Sequence, residues 1–395
     1  MAKSTPSLFL GAATVAIWIY LLFFRGGFWR PPYSAAPVAS ASVPFVVAVI
    51  PARDEAAVIG PAIASLLGQD YSGGLHIVVV DDQSSDGTAE AARAAAVAAG
   101  ASDRLTLCRG KPVPPDWTGK LWAVRQGVET ARSLGPAYLL LTDADIVHGP
   151  GNLRELVSRC ETDRCDLVSL MVKLHCRSLW EILLIPAFVF FFFKLYPPRW
   201  VADPSRRTAA AAGGCMLIRA TILDRIGGID AIRHEIIDDC ALARRVKAVG
   251  KLWLGPSVHT HSIREYRSWH TIWDMIVRSA FAQLGYSTAM LVLTVLMLVM
   301  TYLTPPLLLL SPQPAAMLCG GVAWLGMSLA FLPTLRAYDA SPLLAPLLPL
   351  IALFYVVATV GSAALFWRGR GGYWKGRFQA PAPTGRSEPG HHRTG

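Results

Sequence analysis

Apolar and polar positions are distributed very unevenly along this chain. Leu8 to Phe24 is a run of seventeen residues without a charge, followed by Arg25 and Arg30. That length is near the short limit for a membrane-crossing helix. A cleaved signal peptide is the competing reading. Against it, Lys3 is the only charge before the run and no small-residue cleavage pattern closes it. Three further long apolar stretches, Ser287–Leu310, Ala315–Leu332 and Leu343–Phe366, fill the C-terminal third.

Between the two ends the pattern changes. Phe45–Ile50, Ile77–Val80, Tyr138–Thr142 and a stretch near Leu105 are short, continuously apolar runs. Helical stretches at Val58–Gln69, Thr88–Ala99 and Leu121–Ser133 alternate with them, and Leu167–Leu174 and Met216–Ile218 add candidate strands. Strands that are apolar throughout, separated by helices, predict an α/β domain with a mainly parallel sheet covered on both faces. Ile182–Phe193, ending in four phenylalanines, interrupts this domain. It is short for a span and is expected to lie in the membrane interface, a plain core helix being the alternative.

These patterns divide the chain into an anchor and linker (1–42), an α/β domain (43–285) with an apolar segment near 182–196, a membrane region (286–367), and a basic Gly/Pro-rich tail (368–395) expected to be disordered. Positive residues after the first run place the α/β domain in the cytoplasm, with an inner membrane of bacterial type as the host. One N-terminal and three C-terminal crossings would leave the tail outside. Arg368, Arg370, Lys375 and Arg377 argue for inside.

Composition agrees. Hydrophobic residues make up 53% and charged residues only 16%, where soluble domains carry about 25% charged. The net charge of +10 suits anionic lipid or a phosphate-bearing substrate, and no nucleic-acid partner is expected. Seven cysteines without a C-x-x-C pair argue against a zinc site or disulfide framework.

Four polar clusters follow the apolar runs, where open α/β sheets bind their ligands. The first is Pro51-Ala52-Arg53-Asp54-Glu55. The second, Asp81-Asp82-Gln-Ser-Ser-Asp-Gly-Thr88, closes a buried strand with paired carboxylates, and Asp82 could accept the imide hydrogen of a uracil ring; Asp86 or Thr88 would cap the following helix. The third is Asp143-Ala-Asp145, whose oxygens suit Mg²⁺ or Mn²⁺ completed by a diphosphate. The fourth, Glu235-Ile-Ile-Asp238-Asp239, offers either a helix cap or a general base for an acceptor hydroxyl. His259 and His261 flank Thr260; one could reach the metal or a phosphate, although packing beside a strand is the commoner role of such a pair. Neither a P-loop nor a Rossmann glycine fingerprint is present.

In this order and spacing the four clusters resemble the family 2 glycosyltransferases of GT-A fold, over about Phe45–Phe281. The resemblance implies that Pro51, Ala52, Arg53 and Glu55 lie against the donor nucleoside and that Asp82 reads the base. It further implies that Asp143 and Asp145 hold the metal on the diphosphate, Lys120 lies near the donor, and Asp239 is the base beside Asp238. The donor would be a nucleotide-diphosphate sugar of UDP type. The layout is most similar to the hopene-associated glycosyltransferases, near relatives of ceramide glucosyltransferases, which implies inverting transfer to a hopanoid, ceramide-like or other membrane lipid. Processive members carry a Gln-x-x-Arg-Trp or Arg-x-x-Arg-Trp motif. Arg264-Glu-Tyr-Arg-Ser-Trp269 and Trp273–Arg278 fit it poorly, which makes a polysaccharide synthase the weaker alternative. A nucleotidyltransferase or a non-catalytic scaffold is weaker still.

Overall fold

The computed structural model describes residues 5–32 and 43–379. Part of the expected linker and the end of the tail lie outside the described residues. The catalytic-looking domain is built on eight strands: β1 (Val46–Ala52), β2 (Leu75–Asp81), β3 (Leu105–Arg109), β4 (Tyr138–Thr142), β5 (Ile146–Val147), β6 (Leu167–Lys173), β7 (Cys215–Arg219) and β8 (Leu252–Ser262). Their order in the sheet is β3-β2-β1-β4-β7-β6-β8-β5. Neighbours β1, β2, β3 and β4 are parallel, as are β6 and β8. The sheet is mainly parallel, as expected, with two antiparallel strands. β7 runs antiparallel between β4 and β6, and β5 runs antiparallel to β8.

Both sheet faces are buried, which is why the central strands lack a polar alternation. Val46, Ala48 and Ile50 pack on one side with α2 (Ala56–Leu67, after the N-terminal helix α1, Thr5–Ile19), α3 (Thr88–Ala98) and α5 (Asn152–Thr162). Val47 and Val49 pack on the other side with α4 (Gly119–Arg132). Helix α4 approaches so closely that a Cβ on Gly127 would stand 2.4 Å from a Val49 methyl. This second core continues without a break into the apolar helices, through Phe190, Phe331 and Tyr302.

Five segments are long and apolar enough to cross a membrane: Pro6–Phe24, Leu179–Ala202, Thr288–Leu308, Pro314–Ala337 and Pro342–Trp367. Their end contacts distinguish them. The helical segment begun by α1 runs on through Phe24, and Arg25 just after it donates to Lys194 O at 3.1 Å. Its start, at Ser7, bonds Gln313 at the start of Pro314–Ala337. The far end of that helix returns to the domain, where Asp339 pairs with Lys173 at 2.9 Å. Segment Pro342–Trp367 therefore begins beside the domain. It also ends there, since Ser362 Oγ accepts from Phe281 N–H at 3.0 Å. Likewise, α6 (Leu179–Leu195) leaves from β6 and the chain returns to β7, a neighbour in the same sheet. These two segments touch: Tyr355 Oη donates to Leu184 O at 2.8 Å.

The start of the tail departs from the disordered expectation. Strands β9 (Tyr373–Trp374) and β10 (Arg377–Phe378) form a hairpin. Its turn uses Gly376 at φ 85°, and Lys375 anchors it on the loop after β1, as described below.

Candidate active site

The switch in chain order falls between β1 and its neighbours β2 and β4, so the carboxyl ends of three parallel strands converge. These ends carry Arg53–Glu55, Asp81–Asp82 and Asp143–Asp145. They open on a cavity of about 460 Å³. Pro51, Arg53, Glu55, Lys120, Asp143, Asp145, Asp238 and Asp239 all line it. Ala52 and Asp82 lie beneath it: both are buried, and Arg53 covers Asp82, donating to its carbonyl at 2.7 Å and standing 3.7 Å from its carboxylate. His259 and His261 are exposed on β8 and line no part of the cavity.

The loops after β1 and β2 are stapled to each other. Ser84 Oγ accepts from Asp54 N–H at 3.0 Å, Thr88 Oγ1 from Glu55 N–H at 2.8 Å, and Asp86 from Ala56 N–H at 2.9 Å. Asp86 divides its carboxylate: one oxygen meets Ala56 across the loop, and the other accepts from Thr88 N–H at 3.1 Å at the start of α3, as expected of a residue that helps to cap it. Gly87 occupies the cap position without a side-chain bond. Asp54 takes φ 51°, which Asp tolerates better than most residues, and its carboxylate accepts from Ser85 N–H at 2.9 Å.

The Asp143-Ala-Asp145 turn is braced from behind by buried His148, which bonds Thr142 at 3.1 Å and Asn152 at 2.9 Å. Burial, then the nearby His261, lowers the His148 pKa to about 3, so this ring serves as a neutral strut. In front, Lys120 Nζ bridges two carboxylates, at 3.0 Å from Asp143 and 3.1 Å from Asp238. Burial alone would lower the lysine, but Asp143 and then Asp238 hold it well above its usual range. Burial pushes the Asp143 carboxyl upward, and Lys120 opposes that shift.

Arg264, noticed in the sequence only as a poor motif match, proves central. It forks onto both oxygens of Glu55, at 2.7 and 2.8 Å, and its Nε stands 3.4 Å from Asp145. Ser262 also bonds Asp145, at 2.5 Å. Lys375 of the tail hairpin reaches the other side of the site, 3.0 Å from Glu55 and 3.0 Å from Asp54 O, while Arg53 donates to Lys375 O at 3.2 Å. No local signal marks either residue, because Arg264 meets Glu55 only through the closed sheet and Lys375 only through the return of the last apolar helix to the domain.

The fourth cluster begins the helix Asp238–Lys247, but neither aspartate caps it: Ile237 holds the cap position with no side-chain bond. Asp239 accepts from Gly213 N–H at 2.8 Å and Cys240 N–H at 2.7 Å. A Cβ on Gly213 would stand in ordinary contact with Asp239 Oδ2 at 3.4 Å and Lys120 Nζ at 3.5 Å, so the backbone N–H rather than the missing side chain is what Gly213 supplies here. Burial, then the Asp238 charge, pushes the Asp239 carboxyl up to about 6, against the pull of Lys120.

Asp143 and Asp145 pass a limited test for a cation. Asp143 is 35% exposed toward the cavity and Asp145 11%. Among the described residues no group of three or more His, Cys, Asp or Glu side chains could hold a metal. Two hard carboxylates without a protein cage suit Mg²⁺ or Mn²⁺ shared with substrate phosphates, and do not suit a structural metal.

The family described as glycosyltransferase like family 2 matches residues 44–274. No curated protein matches the sequence. Among solved structures, the mannosyltransferase PcManGT from Pyrobaculum calidifontis, in complex with GDP-Man and Mn²⁺, is 19% identical with a TM-score of 0.54. The match covers 90% of this chain and 98% of that one, so the two share a fold. Glucosyl-3-phosphoglycerate synthase from Mycobacterium tuberculosis, in complex with phosphoglyceric acid, is 18% identical with a TM-score of 0.38, covering 61% of this chain and 80% of its own. TarS from S. aureus is 11% identical with a TM-score of 0.39, covering 81% of this chain and 55% of its own.

Proposed function

This chain belongs to the family 2 glycosyltransferases and uses a nucleotide-sugar donor; from that premise we propose that it transfers the sugar, with inversion, to a membrane lipid. One observation carries the acceptor reading. The cavity that holds the carboxylates is also lined by Phe188 and Phe192 of α6 and by Leu174 and Met275. An apolar chain entering along α6 would reach Asp239 without crossing water. A hopanoid, ceramide-like or other polycyclic or long-chain lipid fits this description; a growing soluble polysaccharide does not.

In this reading Asp239 takes the proton of the acceptor hydroxyl as its oxygen bonds the anomeric carbon and the bond to the nucleoside diphosphate breaks. Asp143 and Asp145 would hold Mg²⁺ or Mn²⁺, which supplies positive charge at the leaving diphosphate. Lys120 adds a fixed cation between that position and Asp238, and the N–H groups of Gly213 and Cys240 hold the Asp239 carboxylate in place. Pro51, Arg53 and Glu55 receive the nucleoside. UDP remains the proposed nucleotide, and Asp82 can meet its base once Arg53 swings away. Purified protein in lipid bilayers, given a panel of UDP- and GDP-sugars, should glycosylate long-chain or polycyclic lipid alcohols. Extension of a soluble oligosaccharide as fast as any lipid would refute the acceptor assignment.

The contacts also support an orientation. We place three crossings at Pro6–Phe24, Thr288–Leu308 and Pro314–Ala337, with the α/β domain and the start of the tail both cytoplasmic. Leu179–Ala202 and Pro342–Trp367 begin and end beside the domain, so each lies along the cytoplasmic face of the bilayer. The exposed stripe Leu350, Leu353, Val357 and Val360 on the second of these recurs at helical spacing and would face lipid. This resolves the conflict between three C-terminal crossings and a positive tail. In a background without exposed cysteines, Ser311→Cys should react with an impermeant thiol reagent from outside, and Ser341→Cys only after the membrane is opened. External labelling of Ser341→Cys would overturn this topology.

A further inference from the structure

A second cavity, of about 590 Å³, adjoins the first on the other side of the loop His234–Ile237. Thr118, Glu235, Ile236 and Gln379 line both cavities and so form the wall they share. Two polar atoms in that wall, Thr118 Oγ1 and Gln379 Nε2, are buried and have no hydrogen-bond partner among the described residues. Thr118 is only 4% exposed. It occupies the cap position of α4, where a threonine hydroxyl ordinarily accepts from the helix, yet it makes no such bond. A buried hydroxyl without a partner is costly, and its retention calls for a group that arrives from elsewhere.

The rest of this cavity has a definite chemistry. Trp117 presents a half-buried ring held edge-on by Trp122, with centroids 5.2 Å apart. Asp116, Glu235, Gln283, His234 and Arg244 line the same cavity with hydrogen-bonding groups of both signs, Arg244 standing 3.7 Å from Glu235, and Tyr286 adds a second aromatic group. An aromatic face ringed by hydrogen-bonding groups suits a compact molecule with apolar C–H faces and many hydroxyls. The nucleoside is an unsuitable occupant, because no residue after β1 or β2 lines this cavity. The position favours the acceptor: Ala282, Gln283 and Tyr286 immediately precede the crossing Thr288–Leu308.

Resting on the lipid-acceptor reading, we propose that this cavity holds a polyhydroxylated head, a sugar or polyol, carried by the acceptor lipid. Thr118 and Gln379 bond its hydroxyls at the shared wall while another hydroxyl reaches Asp239. The acceptor is then not a bare lipid alcohol but a lipid whose head offers several hydroxyls, of which one is glycosylated. A preceding reaction of the class that attaches a sugar or polyol to a lipid must supply it.

Full-length protein in nanodiscs, with the donor selected from the panel above, tests this with hexadecanol, hexadecylglycerol, hexadecyl glucoside and methyl glucoside. The KM of at least one of the two headed lipids should be about tenfold or more below that of hexadecanol. Thr118→Val should remove about tenfold of that preference by raising the KM of the headed lipid, and Thr118→Ser, which keeps the hydroxyl, should restore it. Equal KM values for hexadecanol and both headed lipids, or a preference untouched by Thr118→Val, would overturn the proposal while leaving the lipid reading intact. Methyl glucoside working as well as hexadecyl glucoside, with Thr118 still required, would instead support the head site and refute the lipid reading.

Discussion

Asp239→Asn should lower kcat by a factor on the order of 10²–10⁴ and leave donor affinity nearly unchanged. The amide keeps the shape and still accepts from Gly213 and Cys240, whose N–H groups hold the present carboxylate at 2.8 and 2.7 Å, but it cannot take a proton. Asp238→Asn should be milder on proton transfer, because Asp238 faces Lys120 at 3.1 Å and acts through its position. The pH profile supplies an independent check. Burial and the Asp238 charge raise the Asp239 carboxyl to about 6. A base must be deprotonated to act, so kcat should be full above that value and fall about tenfold per unit as pH drops below it. Steady-state rates with saturating donor and acceptor would show this, as would the anomeric configuration of the product by NMR. Near-normal turnover of Asp239→Asn, or retention of configuration, would remove Asp239 from its role.

Removal of divalent metal should abolish transfer, and Mn²⁺ or Mg²⁺ should restore it. A diphosphate brought against Asp143 and Asp145 without a cation meets like charge at short range, and Lys120 and Arg264 are already engaged by carboxylates at 3.0 and 2.7 Å. Asp143→Asn should reduce turnover about 10²–10³-fold and erase the difference in donor affinity between Mn²⁺ and EDTA measured by calorimetry. Asp145→Asn should weaken donor binding in the same assay, but it also loosens Ser262 and Arg264, so its unfolding temperature should be followed as well. Undiminished activity in EDTA would sink the metal assignment.

Much of this arrangement could be read from the residues alone. Continuous apolar runs predicted β1, β2 and β4 because a strand covered on both faces has no position for a polar side chain. Carboxylates at the ends of those runs marked the site, Glu55 and Asp143 lining the cavity and Asp82 lying beneath it, because the end of a parallel strand is where its chain leaves the core. Strand β8 was missed: its burial alternates and it carries exposed Val258, His259 and His261, so it lacks the apolar continuity that revealed the others. The antiparallel direction of β7 was equally hidden, since direction leaves no trace in a run of four apolar residues.

The sequence by itself determined the continuously apolar strands and the helices between them, the order of the four polar clusters and the abundance of apolar helices, because each depends on neighbours within a few turns of chain. Only the tertiary structure decided which cation meets which carboxylate. Arg264 reaches Glu55 and Asp145 because β8 closes the sheet next to β5, and Lys375 reaches Glu55 only after the last apolar helix has returned to the domain. The same return is what the proposed topology rests on. Leu179–Leu195 and Pro342–Trp367 have the composition of spans, yet their ends are pinned to the same domain through β6, β7, Lys173 and Phe281. Hydropathy records how well a residue tolerates lipid; where the two ends of a helix stand is set by contacts between residues far apart in the chain.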